Sequence, residues 1–149
     1  MKKKTVVSLV IAAVLLLGIA AYFRPLSFSG RAGENRQIQM VLNESGVRNG
    51  EPYIDSVSYA EVTTEQKSAI LTVLENYTYR RTFGTLFSDG FLSDFGDAML
   101  SIYVYENDTL VASIVISSSG KIAVNDKTYH MKDAEHLIDQ IVKIMEQTN

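Results

Sequence analysis

The chain contains no cysteine and no tryptophan, and only two histidines and two prolines among its 149 residues. The absence of cysteine excludes a disulfide framework, a zinc site with cysteine ligands, a thiol nucleophile and a lipid-modified cysteine. The scarcity of proline, with 46% hydrophobic and 21% charged residues, is typical of a folded protein and not of a disordered chain. Because there is no cysteine to carry a lipid, any attachment to a membrane must be made by a segment of the polypeptide.

Acidic residues are missing from the N-terminal part of the chain. The first 29 residues hold four basic side chains, Lys2, Lys3, Lys4 and Arg24, so the overall net charge of −3 leaves −7 on the remaining residues. A domain with this excess of acid repels phosphate backbones, and the sequence contains no basic stripe interleaved with aromatic residues. The composition argues against nucleic-acid binding.

Residues 5–23 form an uncharged, apolar run of nineteen residues directly after the lysines. As a helix, this run covers roughly 28 Å, which is enough to cross the hydrocarbon core of a bilayer. The apolar core of a secretory signal peptide is shorter, about 7 to 15 residues, so an uncleaved single-pass anchor is favoured. The alternative is secretion after cleavage near Gly30, because the small residues Ser27 and Ser29 follow the helix-breaking Pro25.

The distribution of charge also predicts the orientation and the boundaries of the parts. The positive-inside rule places the N-terminal lysines in the cytoplasm and the C-terminal domain outside it, at the cell membrane. Residues 1–23 are then a signal anchor, residues 24–35 a flexible stalk, and residues 36–149 an extracytoplasmic domain. A domain of this length buries roughly two-thirds of its unfolded surface and needs no disulfide.

Alternating and helical patterns predict an α+β fold for this domain. Two strands come first, the earlier one ending at the turn-rich residues 43–46. A capping box of Thr63 and Gln66 then begins an amphipathic helix. Residues 78–83 are predicted as a short strand, after which a long irregular loop follows.

A four-stranded antiparallel meander and a closing helix complete the predicted domain. In its first hairpin, Glu106 is expected opposite Thr109 and Val104 opposite Val111. Asp133 is expected to cap the closing helix. The predicted order is therefore strand, strand, helix, strand, meander and helix, with both helices packed on one face of an antiparallel sheet.

This order of elements resembles small exported domains of unknown function in Gram-positive bacteria. The resemblance covers residues 53–145 and rests on the threonine-capped helix over residues 63–77, the strand after it, and the tyrosine-rich meander that ends in GKIAVNDKTY at residues 120–129. It is a resemblance of pattern, without a diagnostic motif. It implies a membrane-tethered or secreted accessory domain and supplies no catalytic residue.

The sequence has only two histidines, His130 and His136, that could serve as imidazole ligands of a metal or as histidine acid–base groups. Both are predicted near the start of the closing helix, where Asp133 or Asp139 would be the nearest carboxylates. Zinc needs three or four converging ligands, and no Gly-x-Ser-x-Gly motif is present for a serine nucleophile. We therefore expect no metal, no cofactor and no catalytic residue.

The irregular stretch over residues 84–97, with the sequence GTLFSDGFLSDFGD, contains many large apolar side chains for a surface loop. The structural interpretation, which is favoured, is that these side chains tuck under the loop and cap the core. The functional hypothesis is that they form a recognition surface, with Phe91 and Phe95 as anchors and Tyr79 and Tyr103 as an aromatic platform.

Three classes of function follow from these patterns. The leading prediction is a membrane-anchored, non-enzymatic protein-interaction or sensing module that binds an unknown protein partner. The alternative is a secreted inhibitor or immunity-like binding protein. A small hydrolase comes last, because so little of a catalytic constellation can be assembled.

The predicted topology can be tested with single cysteines, because the natural chain has none. Ser45→Cys and Ser118→Cys should each react with a membrane-impermeant thiol reagent on intact cells, since both positions belong to the predicted outer domain. Labelling is read by a mass shift of the protein. Labelling that occurs only after cell lysis would contradict the predicted orientation.

Overall fold

A computed structural model describes residues 3–28, 36–92 and 96–147. These residues form an α+β fold with three α-helices and one eight-stranded antiparallel sheet, as the sequence predicts at the level of fold class. In chain order the elements are α1 (Lys3–Tyr22), β1 (Leu26–Ser27), β2 (Gln37–Arg48), β3 (Glu51–Tyr59), α2 (Thr64–Glu75), β4 (Thr78–Arg80), a 3-10 turn (Phe83–Leu86), β5 (Ala98–Glu106), β6 (Thr109–Ser117), β7 (Lys121–Val124), β8 (Lys127–Met131) and α3 (Ala134–Glu146).

Helix α1 exposes large apolar side chains around its whole circumference, including Val6, Leu9, Leu16 and Ile19. A helix of this kind has no polar face and so differs from the amphipathic helices of the domain. Within the residues that the structure describes, no helix reaches the length and apolarity that a membrane span requires.

The eight strands are ordered β1-β4-β8-β7-β6-β5-β2-β3, and every neighbouring pair is antiparallel. The two outermost strands are very different in length, because β1 has two residues and β3 has nine. The short β1 follows α1 directly, so the N-terminal helix joins the sheet at one edge and β3 forms the opposite edge.

The first hairpin of the meander, between β5 and β6, turns where the sequence predicts. Asn107 and Asp108 both have positive φ, which is the conformation of a two-residue type I′ turn, and Glu106 pairs with Thr109. The predicted pairing of Val104 with Val111 is wrong, however, because Val104 pairs with Ala112 across a β-bulge.

The bulge has a clear physical reason in the pattern of apolar residues. Without it, the polar Ser113 would face the core, whereas with one extra residue in β6 the side chains of Ala112, Ile114 and Ile116 are buried there instead. The hydrophobic face of β6 therefore sets the register, and the extra residue is accommodated next to the turn.

Strand β2 does not end at residues 43–46 as predicted but continues to the turn at Asn49 and Gly50. Gly46 lies within the strand opposite Tyr53, whose ring approaches to 3.1 Å from the position that a Cβ of Gly46 would occupy. The tyrosine ring thus covers the glycine, which explains how the turn-rich sequence is held as a strand.

One apolar core lies between the sheet and the helices α2 and α3. It contains alternate residues of the central strands and the inward stripes of α2 and α3: Ile38, Met40, Leu42, Ile70, Leu74, Tyr79, Leu100, Ile102, Ile114, Ile116, Ile122, Val124, Met131, Leu137, Ile138, Ile141 and Met145. The intervening residues of the strands form the opposite face, which carries no helix in the described part of the chain.

The two predicted helix caps have different outcomes. The capping box of α2 is confirmed, since Gln66 N donates to Thr63 Oγ1 at 3.2 Å and Thr63 N donates to Gln66 Oε1 at 2.9 Å. Asp133 occupies the N-cap position of α3, but the prediction that its side chain caps the helix is wrong. Its backbone is left-handed, with φ of 56°, and not in the extended conformation of a capping residue.

The strand predicted over residues 78–83 is shorter, because β4 ends at Arg80. Thr82 N donates to Thr85 Oγ1 at 2.8 Å, which turns the chain out of the sheet and into the 3-10 turn. In a strand that continued to residue 83, Tyr79 and Phe83 would share a face, but Tyr79 is fully buried and Phe83 is exposed.

Residues 26–28 do not belong to a flexible stalk, although the sequence predicts one over residues 24–35. Strand β1 pairs with β4, with Leu26 opposite Tyr79, and Phe28 is only 4% exposed. The ring centroids of Phe28 and Tyr79 are 4.9 Å apart. These three residues are therefore part of the folded domain, while residues 29–35 lie outside the described residues.

The two phenylalanines Phe28 and Phe87 provide a matched test of this arrangement. Phe28→Ala should lower the free energy of unfolding by about 3 to 5 kcal/mol, because it leaves a cavity beside Tyr79. Phe87→Ala removes the same atoms from an exposed position and should change it by less than about 0.5 kcal/mol. Urea unfolding of the detergent-solubilised full chain, followed by circular dichroism, measures both. Equal losses would contradict the assignment of Phe28 to the core.

Candidate functional site

Four large apolar side chains project from the segment after β4, and together they are called the aromatic patch: Phe83, Leu86, Phe87 and Phe91. They are 77%, 60%, 90% and 75% exposed, respectively. The favoured expectation that the loop over residues 84–97 tucks its apolar groups into the core is therefore wrong for Leu86, Phe87 and Phe91. A patch of this kind on a single domain is typical of a binding surface.

The backbone beneath the aromatic patch is held by polar contacts to the first two residues of β8. Ser88 Oγ accepts a hydrogen bond from Thr128 N at 2.8 Å and donates to Thr85 O at 3.1 Å. Lys127 Nζ donates to Ser88 O at 3.0 Å. Because the loop is fixed from below, its apolar side chains are directed outward.

Gly90 gives the loop a second attachment, to the turn between β7 and β8. Its φ is 77°, and a Cβ at this position would lie 2.8 Å from backbone atoms of Asn125 and Asp126. Only glycine fits such a close backbone approach without displacement. The next residue is fixed as well, because Phe91 N donates to Asp89 Oδ1 at 3.0 Å.

The aromatic patch lies beside the C-terminal end of α1. The ring centroids of Phe23 and Phe83 are 4.9 Å apart, in an edge-to-face arrangement. Tyr22 Oη donates to Thr82 O at 3.4 Å, and Arg81 Nη1 donates to Tyr22 O at 3.3 Å. The guanidinium of Arg81 also lies over the Tyr22 ring, 5.4 Å from its centroid.

The three predicted site residues that the structure describes do not lie on one surface. Phe91 belongs to the aromatic patch, whereas Tyr79 is fully buried and so cannot serve as an exposed platform. Tyr103 is half-buried on the helix-free face of β5, four strands away from β4 and thus roughly 19 Å along the sheet. Phe95 lies outside the described residues.

A second candidate surface is the outer edge of β3, here called the β3 edge. Within the described chain, β3 has a neighbouring strand on one side only. Ile54 is 73% exposed, and Val57 is also exposed. Asp55 is paired with Arg48 at 3.3 Å, and the same guanidinium lies 4.2 Å from the centroid of the Tyr53 ring.

A cleft of about 560 Å³ lies between the start of β2 and the start of α2. Its basic groups already have partners in the protein: Lys67 Nζ donates to Arg36 O at 3.0 Å, and Arg36 Nε lies 3.3 Å from Glu106 Oε2. The cleft is lined by Arg36, Gln37, Ile38, Gln39, Ala60, Glu61, Val62, Thr63, Thr64 and Lys67. Because these groups are paired within the protein, the cleft is a weaker candidate for ligand binding than the aromatic patch and the β3 edge.

Tyr59, at the end of β3, has a pKa raised above its ordinary value. Burial of the phenol is the main cause, and the nearby carboxylates of Glu146 and Glu44 add to it. The phenol therefore keeps its proton through the physiological pH range and remains available as a hydrogen-bond donor.

Of the two candidate histidines, His136 belongs to a structural hydrogen-bond network with Gln140 and Tyr77. Tyr77 Oη donates to Gln140 Oε1 at 3.2 Å, and Gln140 Nε2 lies 3.2 Å from His136 Nε2. Burial raises the pKa of Tyr77, and the carboxylate of Asp133 raises it further. His130 lies apart, exposed on β8 next to Gly120. The described residues contain no group of three or more acidic or histidine side chains that could hold a metal ion.

Sequence reasoning missed Phe83 and the β3 edge. The predicted strand over residues 78–83 includes Phe83, and the hydroxyl groups of Thr82 and Thr85 are the signal in the sequence that the chain turns before it. The β3 edge depends on which strand lies outermost, and the sequence pattern does not contain that order. No family model matches the chain, and no curated protein or solved structure is significantly similar to it.

Proposed function

We propose that the chain is a membrane-anchored, extracytoplasmic domain that binds a protein partner without catalysing a reaction. The observation that carries the proposal is the β3 edge, a nine-residue strand that is exposed at one end of the sheet. An exposed edge of this length is a template on which an extended segment of another protein can pair.

The membrane anchor in this proposal is the uncharged run of residues 5–23. Its support is the sequence of that run, the preceding lysines, and the exposure of apolar side chains on all sides of α1. Cleavage near Gly30 is disfavoured on physical grounds, because it would remove β1 and the buried Phe28 from the domain.

Strand order supports an outward role for the β3 edge. Seven strand spacings separate β1 from β3, which corresponds to roughly 34 Å at the usual distance between neighbouring strands. Since β1 follows α1 after three linking residues, the β3 edge is the part of the sheet farthest from the anchor. A partner outside the cell membrane would meet this edge without contact with the lipid.

The side chains of β3 indicate what kind of segment would pair there. Ile54 and Val57 point to opposite faces of the strand and offer one apolar contact on each. Glu51 and Asp55 are acidic, and only Asp55 has an arginine partner in the described chain. The proposed partner is therefore an extended segment with apolar side chains and at least one basic residue near Glu51.

Site-specific photocrosslinking in cells tests this proposal. A photoreactive residue in place of Ile54 should give one discrete adduct, whereas the same residue in place of Leu110 should not. Leu110 is also an exposed apolar residue, but it lies on β6, which is an interior strand of the sheet. Adducts are identified by mass spectrometry.

Lysine substitutions supply the matched binding control. The double variant Ile54→Lys and Ser56→Lys should reduce adduct formation from a probe at Val57 about tenfold, because lysines on an edge strand oppose pairing with another strand. Leu110→Lys should leave it unchanged. Equal yields for the two variants, or equal adducts from Ile54 and Leu110, would contradict binding at the β3 edge.

A further inference from the structure

The link between α1 and the sheet limits how far the aromatic patch can lie from the end of the helix. Three residues, Phe23, Arg24 and Pro25, join α1 to β1 and span at most about 11 Å when extended. Strand β1 pairs with β4, and the patch begins directly after β4. The contact between the rings of Phe23 and Phe83 shows that the patch reaches the helix end.

Aromatic residues at this end of α1 have the character of a membrane-interface belt. Tyr22 ends the helix, Phe23 follows it, and both lie where an anchor over residues 5–23 would leave the hydrocarbon. Tyrosine is enriched at this level of a bilayer because its ring is apolar and its hydroxyl is polar. Through Phe83, the aromatic patch continues this belt sideways from the helix.

The charged groups around the patch are mostly basic, although the domain as a whole is acidic. Arg24 and Arg80 are exposed beside it, and Arg81 lies against Tyr22. Lys127 is bound to the carbonyl of Ser88, below the loop. Two acidic residues also lie at the described loop: Asp89, one of whose oxygens accepts the N–H of Phe91, and Asp126, whose backbone packs against Gly90. Basic side chains next to apolar ones suit anionic lipid headgroups.

We infer that the aromatic patch inserts into the outer interface of the same membrane that holds α1. The inference rests on the proposed anchor and adds a second point of contact with lipid. Phe83, Leu86, Phe87 and Phe91 would lie in the boundary between headgroups and acyl chains, about 5 to 10 Å deep. The polar contacts of Ser88 and the tight packing of Gly90 hold the loop so that these side chains point into that layer.

The absence of tryptophan in the natural chain makes a single-tryptophan experiment possible. The full chain with Phe87→Trp is placed, one copy per nanodisc, in phosphatidylcholine and phosphatidylglycerol. Its emission should shift to shorter wavelength and be largely lost when the acyl chains are brominated. The discs are made with a scaffold protein that lacks tryptophan, and with one copy of the chain per disc no second copy is present to cover the patch.

Two further variants separate this inference from the anchor. Leu16→Trp, exposed on α1, reports the anchor alone, and Ile54→Trp, on the β3 edge, should keep a water-like emission that bromine does not quench. Quenching of Leu16→Trp but not of Phe87→Trp would overturn the lipid contact and leave the anchor intact. Absence of quenching in both would overturn the two proposals together. If Phe87→Trp fails to fold, Phe91→Trp takes its place.

Discussion

The contact between Phe28 and Tyr79 joins the N-terminal helix to the rest of the molecule. Phe28 is buried only six residues after the end of α1, and Tyr79 is the central residue of β4, whose neighbours are β1 and β8. An aromatic pair of this kind contributes more than its buried area alone. Because the contact lies so close to α1, the helix is attached to one defined edge of the sheet and not to a loose linker.

The parts of the fold that could be predicted are those set by local chemistry. The capping box of Thr63 and Gln66 needs only neighbouring residues, and Asn107 and Asp108 tolerate the positive φ of a tight turn. The bulge after Leu110 could not be read from turn rules, because it follows from the need to keep a whole apolar face inward. At this position the packing of the whole sheet face, and not the turn, determines that Val104 pairs with Ala112.

The candidate site was only partly predictable for the same reason. The density of apolar residues after β4 predicts a surface that includes Phe91, and Phe91 is exposed, but that exposure depends on what supports the loop from below. That support comes from Thr128 and from the turn at Asn125 and Asp126, about forty residues later in the chain. Likewise, the burial of Tyr79 depends on Phe28, which pattern reasoning placed in the stalk.

The strand order places the two proposed binding surfaces, the aromatic patch and the β3 edge, near opposite edges of the sheet. The aromatic patch follows β4, next to the helix end, whereas β3 is the outermost strand at the far edge. An anchor of one helix alone lets a domain rotate about its linker, whereas the proposed second contact, through Phe87 and its neighbours, would fix which edge faces away from the lipid. With that orientation fixed, the domain would lose less rotational freedom on pairing of an extended segment with β3, because part of that freedom would already be lost at the membrane.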